Sequence, residues 1–170
     1  MTTRFTVVAT VCAAFFALSC SKSEDVTRVG AYLSLSGPDS TFGTDTRDGV
    51  ELALSEVNAA GGIKGKKVKV LYEDDKSTAQ EASQKVRQLI DRDKAVAIIG
   101  EVASSRSMAG GLIANTSKIP MVTPSSTAVE VTKDRDYVFR VCFTDDQQGD
   151  VAARFVFETM KKKKAAERKG

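Results

Sequence analysis

The residues best suited to chemistry are hydroxyl side chains that directly follow hydrophobic runs. Ser104 and Ser105 follow AVAIIG in the stretch GEVASSRSMAGG, and Ser125, Ser126 and Thr127 follow IPMVTP. Such hydroxyls can act as a nucleophile, as donors to an anion at a helix N-terminus, or as simple helix caps. The rest of the sequence must decide among these three uses.

Catalysis and nucleotide chemistry are disfavoured. The chain has no histidine to act as the base for a serine nucleophile, and no G-x-S-x-G pattern surrounds Ser104. The stretch GGIKGKK departs from a phosphate-binding loop in its glycine spacing and in the residue after Gly-Lys. The Asp74-Asp75 and Asp145-Asp146 pairs are typical of solvated loops. We therefore predict no enzyme activity, no cofactor and no metal.

The remaining possibility is a site that binds a ligand without reacting with it. At a helix N-terminus, Ser104 and Ser105 would offer hydroxyls and free backbone N–H groups to a carboxylate. Thr127 can add a further N–H and hydroxyl, so the two loops together would clamp a small zwitterion. In the alternative interpretation, Ser105 only caps the helix and Ser126 closes a turn. Both interpretations use the same N–H groups, and the residues alone leave both open.

The elements that would position these loops alternate along the chain. Apolar runs predict strands within residues 26–35, 66–75, 94–100, 119–124 and 137–143, and helical periodicity predicts helices within 44–62, 77–93, 104–118 and 145–164. Val151, Ala152, Phe155 and Val156 should form the inward face of the last helix. This order favours an α/β fold with a doubly wound, mostly parallel, Rossmann-like sheet. Ligands of such sheets bind in the loops after the strands, here SGPDSTFG, GEVASS and TPSST.

The two ends of the chain differ from its middle. Residues 1–19 have the charge and length of a signal peptide. Its end, ALSC, resembles the bacterial lipobox and predicts that Cys20 is acylated, with a linker over 20–26; the alternative is an ordinary signal peptide with a chance cysteine. Six of the 25 Lys and Arg residues lie in the last ten, so basic charge forms a tail and not a stripe across a folded face. We therefore predict no nucleic-acid partner.

Residues Thr27 to Met160 resemble the leucine/isoleucine/valine-binding proteins of ABC importers, which are type I periplasmic binding proteins. The likeness is carried by RVGAYLSLSGPDSTFGTDTRDGVELALSEVNAAGGIKGKKVKVLYEDDKS, IIGEVASS, IPMVTPSST and VFRVCFTDDQQG, in this order and spacing. The combination of these motifs is specific. It implies a two-lobed fold that closes on an amino acid delivered to a transporter permease.

The resemblance also implies roles for individual residues. Ser104 would hold the ligand α-carboxylate through its hydroxyl and N–H, assisted by the N–H of Thr127. The Ser125 carbonyl and the Thr127 hydroxyl would receive the α-ammonium, and Ser105 would cap the helix. The residues expected to line the ligand are Val102 and Ala103 at the strand end and Phe42 in the first loop.

The implied organisation has a ligand-binding lobe over 27–144, the first helix of a second lobe over 145–160 and a basic tail over 161–170. The second lobe is expected to be missing, so this chain alone should bind weakly or not at all. The function implied is that of a periplasmic substrate-binding lipoprotein, held to a membrane by its lipid. The alternatives are a sensory domain of the same fold, a non-functional remnant, and a flavodoxin-like enzyme that would need a phosphate loop after the first strand.

Overall fold

The computed structural model describes residues 25–160. The predicted signal peptide, Cys20 and the basic tail over 161–170 lie outside the described residues. Between residues 25 and 160, none of the helices combines the length and the apolar character that crossing a bilayer requires.

In the described part of the chain, five parallel strands form one sheet, which confirms the predicted α/β class. The strands are β1 (Thr27–Leu33), β2 (Val68–Asp74), β3 (Ala97–Ile99), β4 (Met121–Thr123) and β5 (Val138–Arg140). Their spatial order is β2-β1-β3-β4-β5, with every neighbouring pair parallel. All five carboxyl ends therefore lie along one edge of the sheet, where the predicted binding loops follow the strands.

Within residues 25–160, four α-helices connect or follow the strands. They are α1 (Ser40–Ala59), α2 (Ala79–Asp91), α3 (Ser104–Thr116) and α4 (Asp145–Arg154), with a 3-10 turn at Val129–Val131 and a π turn at Phe155–Thr159. Helix α2 begins with an S/T-x-x-E capping pattern, in which the Thr78 side chain accepts the Glu81 N–H at 3.2 Å.

The hydrophobic core lies between the sheet and the pair of helices α2 and α3. Its fully buried members include Tyr32 of β1, Leu89 of α2 and Met121 of β4. Helix α3 approaches β1 closely because Gly110 faces the Tyr32 ring: a Cβ there would lie 2.5 Å from the Tyr32 hydroxyl oxygen. This close approach fixes the first turn of α3 above the carboxyl ends of the strands.

Helix α1 packs on the opposite face and begins four residues earlier than the sequence predicts. Phe42 therefore lies in the first turn of this helix, so its predicted place in a loop is wrong. The cause is long-range packing: Gly43 abuts the Ser34 backbone, and a Cβ at Gly43 would lie 2.0 Å from the Ser34 carbonyl oxygen. Further along, an apolar groove of about 170 Å³ separates Val50 and Leu54 from the sheet.

Helix α4 differs from its prediction in burial. Val151, Ala152 and Phe155 are exposed and Val156 is half-buried, so the inward face predicted for them is wrong. Neither α4 nor the π turn buries a residue. The helical spacing of these apolar residues indicates one apolar face, but the residues described do not supply a surface that covers it.

Candidate functional site

Two loops at the carboxyl edge of the sheet meet and hold each other. The β3–α3 loop covers 100–103 and the β4 loop covers 124–128. The backbone N–H of Ala128 donates to the Ser104 Oγ at 3.2 Å, and the Ser125 hydroxyl donates to the Val102 carbonyl at 3.0 Å. The structure therefore brings together five of the predicted site residues, which are Val102, Ala103, Ser104, Ser125 and Thr127.

The N-terminus of α3 lies at this junction. Its N-cap residue is Ala103, its first helical residue is Ser104, and its first intrahelical bond runs from Ser107 N to the Ala103 carbonyl at 2.9 Å. Ser105 is exposed inside the first turn, so its predicted role as the cap is wrong. The first N–H groups of the helix have no intrahelical acceptor, and with the helix dipole they favour an anion.

A buried cluster of hydroxyls fixes the base of both loops. The Glu101 carbonyl accepts bonds from the Thr123 hydroxyl at 2.7 Å, the Ser107 hydroxyl at 2.9 Å and the Ser126 hydroxyl at 3.0 Å. Ser126 also closes the predicted turn, since its N–H donates to the Thr123 Oγ1 at 3.1 Å. These bonds join β3, β4 and α3 at one backbone atom, so the loops above it have little freedom to separate.

The Glu101 side chain is fully buried and accepts four hydrogen bonds. Its Oε1 accepts from the Ser34 N–H at 2.9 Å and the Ser34 hydroxyl at 2.8 Å. Its Oε2 accepts from the Ala103 N–H at 2.8 Å and from the Arg106 Nε at 2.7 Å. Four donors and the ion pair with Arg106 compensate the cost of burying this charge. Through the Ala103 N–H, the carboxylate also holds the β3–α3 loop directly.

Arg106 carries the positive charge of this cluster and is itself 6% exposed. Besides Glu101, its guanidinium contacts Asp39, whose Oδ2 lies 2.8 Å from Nη2. Burial alone would lower the pKa of Arg106, but these two carboxylates raise it above its ordinary value. Arg106 therefore stays charged and links the start of α1 to α3.

Asp74 and Asp75, adjacent at the end of β2, have opposite environments. Burial would raise the pKa of Asp74, but bonds from Ser36 and from three backbone N–H groups lower it below the ordinary value. Asp75 is 0% exposed, and burial together with the charge of Glu101 raises its pKa from 3.8 to about 6. Two neighbouring carboxyls thus titrate in different pH ranges because only one is well supplied with donors.

The β4 loop is held from its other side by β5 and α4. Arg140 donates from Nη1 to the Ser126 carbonyl at 3.0 Å and from Nη2 to the Val129 carbonyl at 3.1 Å. The Thr127 carbonyl accepts the N–H of Asp145, the first residue of α4, at 3.2 Å. Thr127 thus presents its hydroxyl and N–H from a segment fixed at both ends.

Phe42 lies apart from this junction. Its side chain is 66% exposed in the first turn of α1. The first turn is tied to the site through Asp39, which precedes α1 and reaches Arg106. A ligand held at Ser104 would meet Phe42 only by extending from the β3–α3 loop toward α1.

Sequence reasoning missed the residues that position the site, which are Ser34, Asp75, Glu101, Arg106, Ser107, Thr123 and Arg140. One local signal was available: Glu101 directly follows an apolar strand, and Arg106 lies five residues later in the first turns of a helix. The remaining contacts join residues that lie far apart in the sequence, so no local pattern indicates them.

The junction offers donors for an anion and a second group of polar atoms for a cation. Ser104 and Thr127 are half-buried, so a small ligand could reach their hydroxyl and N–H groups. Between residues 25 and 160, no group of three or more His, Cys, Asp or Glu side chains is arranged to hold a metal ion. The arrangement suits recognition of a zwitterion by hydrogen bonds.

The chain is similar in sequence and in structure to known binding proteins. A family profile described as "Periplasmic binding protein" matches residues 26–166. The chain is 36% identical to an amino acid binding protein of Pseudomonas aeruginosa over 76% of its length, and 30% identical to the Leu/Ile/Val-binding protein of Escherichia coli K12 over 91%. In structure it resembles a branched-chain amino acid transporter substrate binding protein of Streptococcus pneumoniae, solved with isoleucine, with a TM-score of 0.76 and 33% identity over 81% of this chain.

The chain covers a minority of the length of each of these relatives. It spans 35% of the Pseudomonas protein, 42% of the Escherichia protein and 39% of the Streptococcus structure. The profile match over residues 26–166 includes all five strands and the two loops that meet at Ser104.

Proposed function

This chain belongs to the periplasmic binding protein family, and from that premise we propose that it binds an amino acid for an ABC importer. The ligand α-carboxylate is received by the hydroxyl and N–H of Ser104 and by the N–H of Thr127. The α-ammonium is received by the Ser125 carbonyl and the Thr127 hydroxyl.

The observation that carries this proposal is the direction of the hydrogen bond at Ser104. Its Oγ accepts the Ala128 N–H, so the hydroxyl proton is left to donate to a ligand. The carboxylate would meet this proton and the unpaired N–H groups of the first turn of α3 together. Donors fixed in place before binding lose little freedom when the ligand arrives.

The second loop supports the ammonium end of the ligand. The Ser125 hydroxyl is used by the Val102 carbonyl, so Ser125 contributes through its backbone, as its proposed role requires. Val102 and Ala103 are half-buried beside Ser104 and supply apolar contacts near the ligand Cα. Phe42 receives an apolar ligand side chain, which fits a branched-chain amino acid.

The wider context is part of the same proposal. Residues 27–144 form the ligand-binding lobe and residues 145–160 the first helix of a second lobe. Acylation of Cys20 anchors the protein at a membrane in the periplasm or cell envelope, where an importer permease receives the ligand. No catalytic step is proposed, since the site offers hydrogen bonds and the sequence has no histidine.

Ligand analogues test the two ends of the clamp separately. The full chain, labelled with ¹⁵N, is titrated with leucine, with leucinamide (which lacks the carboxylate) and with 4-methylpentanoate (which lacks the ammonium). We expect leucine to shift the amide signals of Ser104 and Thr127 with weak affinity, and each analogue to bind more weakly still.

Two results would contradict the proposal. One is a leucine response confined to amides away from the two loops. The other is equal binding of leucine and leucinamide, because a site without a carboxylate contact would not distinguish them.

A further inference from the structure

The Ser34 hydroxyl lies between two buried carboxyl groups. Its Oγ is 2.8 Å from the Glu101 Oε1 and 3.0 Å from the Asp75 Oδ1. Glu101 and Asp75 are each 0% exposed. The three residues follow the three neighbouring strands β1, β3 and β2, so the hydroxyl bridges three loops at the edge that carries the proposed site.

A hydroxyl has one proton and can donate it to only one of the two carboxyls. If both carboxyls were ionised, one of the contacts with Ser34 would place lone pairs against lone pairs. A proton on the Asp75 carboxyl removes the conflict: Asp75 donates to the Ser34 Oγ, and Ser34 donates to Glu101. The same proton lowers the repulsion between two buried negative charges.

The hydrogen bonds identify Asp75 as the proton carrier. Glu101 accepts from four donors and pairs with Arg106, as a carboxylate does. Asp75 accepts the Ser77 N–H at 3.0 Å and shares Ser34, while its buried Oδ2 has no hydrogen-bond partner among the described residues. A carboxylate oxygen left without a donor in the interior favours the neutral acid.

We propose that Asp75 and Glu101 share one proton through the Ser34 hydroxyl, and that this proton positions the β3–α3 loop that carries Ser104. The inference rests on the proposed function for what that loop binds. When the proton leaves Asp75 for solvent, the hydroxyl of Ser34 serves only one of two carboxylates. Glu101 then holds the loop less firmly, since its Oε2 carries the N–H of Ala103, the residue before Ser104.

The surrounding charges are consistent with a carboxyl that titrates near neutral pH. Burial, and then the charge of Glu101, raise the pKa of Asp75 to about 6, whereas the hydrogen bonds from Ser34 and Ser77 and the charge of Arg106 act in the opposite direction. The other charged or titratable groups near Asp75 are Tyr32 in β1, the adjacent Asp74, Asp39 behind Arg106, and the Lys76–Glu81 pair at the start of α2.

A leucine-free NMR titration tests the inference. In the full chain, the side-chain carboxyl carbons and backbone amides are followed from pH 4 to pH 8. We expect the Asp75 carboxyl to titrate with a midpoint near pH 6 and the Ala103 amide to move with the same midpoint. Asp74, the adjacent carboxyl, serves as the internal control: its pKa is lowered from 3.8, so its titration should have no midpoint between pH 4 and pH 8. An Asp75 midpoint below about pH 4.5, or an Ala103 amide that does not follow Asp75, would overturn the proposal.

Substitutions distinguish the effect of the Asp75 proton from the effect of the bridging Ser34 hydroxyl. Asp75→Asn should abolish the pH response of Ala103, while Asp74→Asn should leave it intact. Ser34→Ala should leave Asp75 able to titrate but should uncouple Ala103 from it. A response of Ala103 that persists in both Asp75→Asn and Ser34→Ala would overturn the proposal. If a variant does not fold, the paired titrations of the unaltered chain still decide.

The experiment does not depend on ligand. A chain that shows the coupled titration, but whose leucine response is confined to amides away from the two loops, would support the shared proton and contradict the proposed function. A chain that binds leucine at the two loops but shows no coupled titration would support the proposed function and contradict the shared proton.

Discussion

The Ser104 Oγ accepts the backbone N–H of Ala128 at 3.2 Å, which joins the start of α3 to the loop after β4. One side chain thus belongs to both halves of the proposed carboxylate site. It fixes the distance between the helix N-terminus and Thr127, and it keeps its own proton for a ligand.

Ser104→Ala should weaken leucine binding about tenfold or more, because a hydrogen bond to a charged group contributes about 1.5–3 kcal/mol. The affinity is measured by NMR titration of the full chain. Ser105→Ala is the matched control, since Ser105 is an exposed serine in the same helical turn. Equal losses in the two variants would show that the hydroxyl of Ser104 is not a ligand contact.

Glu101→Gln should lower the free energy of unfolding by about 3–5 kcal/mol, the usual effect of removing one partner of a buried ion pair. The substitution leaves Arg106 buried with a weaker compensating charge and places an amide among four donors. Urea unfolding measures the loss. Glu130→Gln, at an exposed position of the 3-10 turn, should change stability by less than about 0.5 kcal/mol.

Asp75 should make stability fall as pH rises through the window from about 4 to 6. Its folded-state pKa of about 6 lies above the ordinary 3.8, so the folded state binds the proton more tightly than the unfolded state. Its stabilising contribution is complete below pH 3.8 and is lost by the time pH has passed 6, a change of roughly 3 kcal/mol at most. Urea unfolding at several pH values measures it, and the decline should be absent from Asp75→Asn.

Asp74 should have the opposite effect on the pH dependence of stability. Its folded-state pKa is lowered, so its contribution is present above pH 3.8 and is lost as pH falls below that value. Asp74→Asn should therefore remove stability at pH 7 and have less effect at pH 3. A stability profile for Asp74→Asn parallel to that of the unaltered chain would contradict the hydrogen bonding described for this side chain.

Gly110→Ala should destabilise the chain by about 1–3 kcal/mol, because the new methyl group would overlap the Tyr32 ring in the core. Thermal or urea unfolding measures the effect. Gly149→Ala is the matched control within α4, where an added Cβ meets nothing within 4 Å. That substitution should be neutral or stabilise α4 by up to about 1 kcal/mol, since alanine favours helix.

The sequence was sufficient to predict the order and type of the main elements, because each depends on local periodicity. The apolar run before Gly100 and the capping pattern at Thr78 are signals of this kind. The start of α1 could not be predicted, because a turn-like stretch becomes helical when Gly43 packs against the Ser34 backbone. The exposed face of α4 was missed for a related reason, since periodicity identifies an apolar face but not the surface that covers it.

The candidate site, like the fold, has parts that the sequence predicts and parts that it does not. The loops and Ser104 could be predicted from hydroxyls placed after strands and from family likeness. The shared hydroxyl of Ser34 could not, because it joins residues 41 and 67 positions away in the sequence. Long-range contacts of buried polar groups depend on the register of the whole sheet, and that register is not visible in any short motif.

The bond from Asp145 N to the Thr127 carbonyl links the orientation of α4 to the loop that carries Thr127. A rotation of α4 that keeps the bond must carry Thr127 with it, and a rotation that breaks the bond releases Thr127. Coupling of this kind is reciprocal, so a ligand that prefers one position of Thr127 also biases the tilt of α4 to the same extent in free energy. Any surface that covers the exposed apolar face of α4 would therefore be linked, through this one bond, to the position of Thr127.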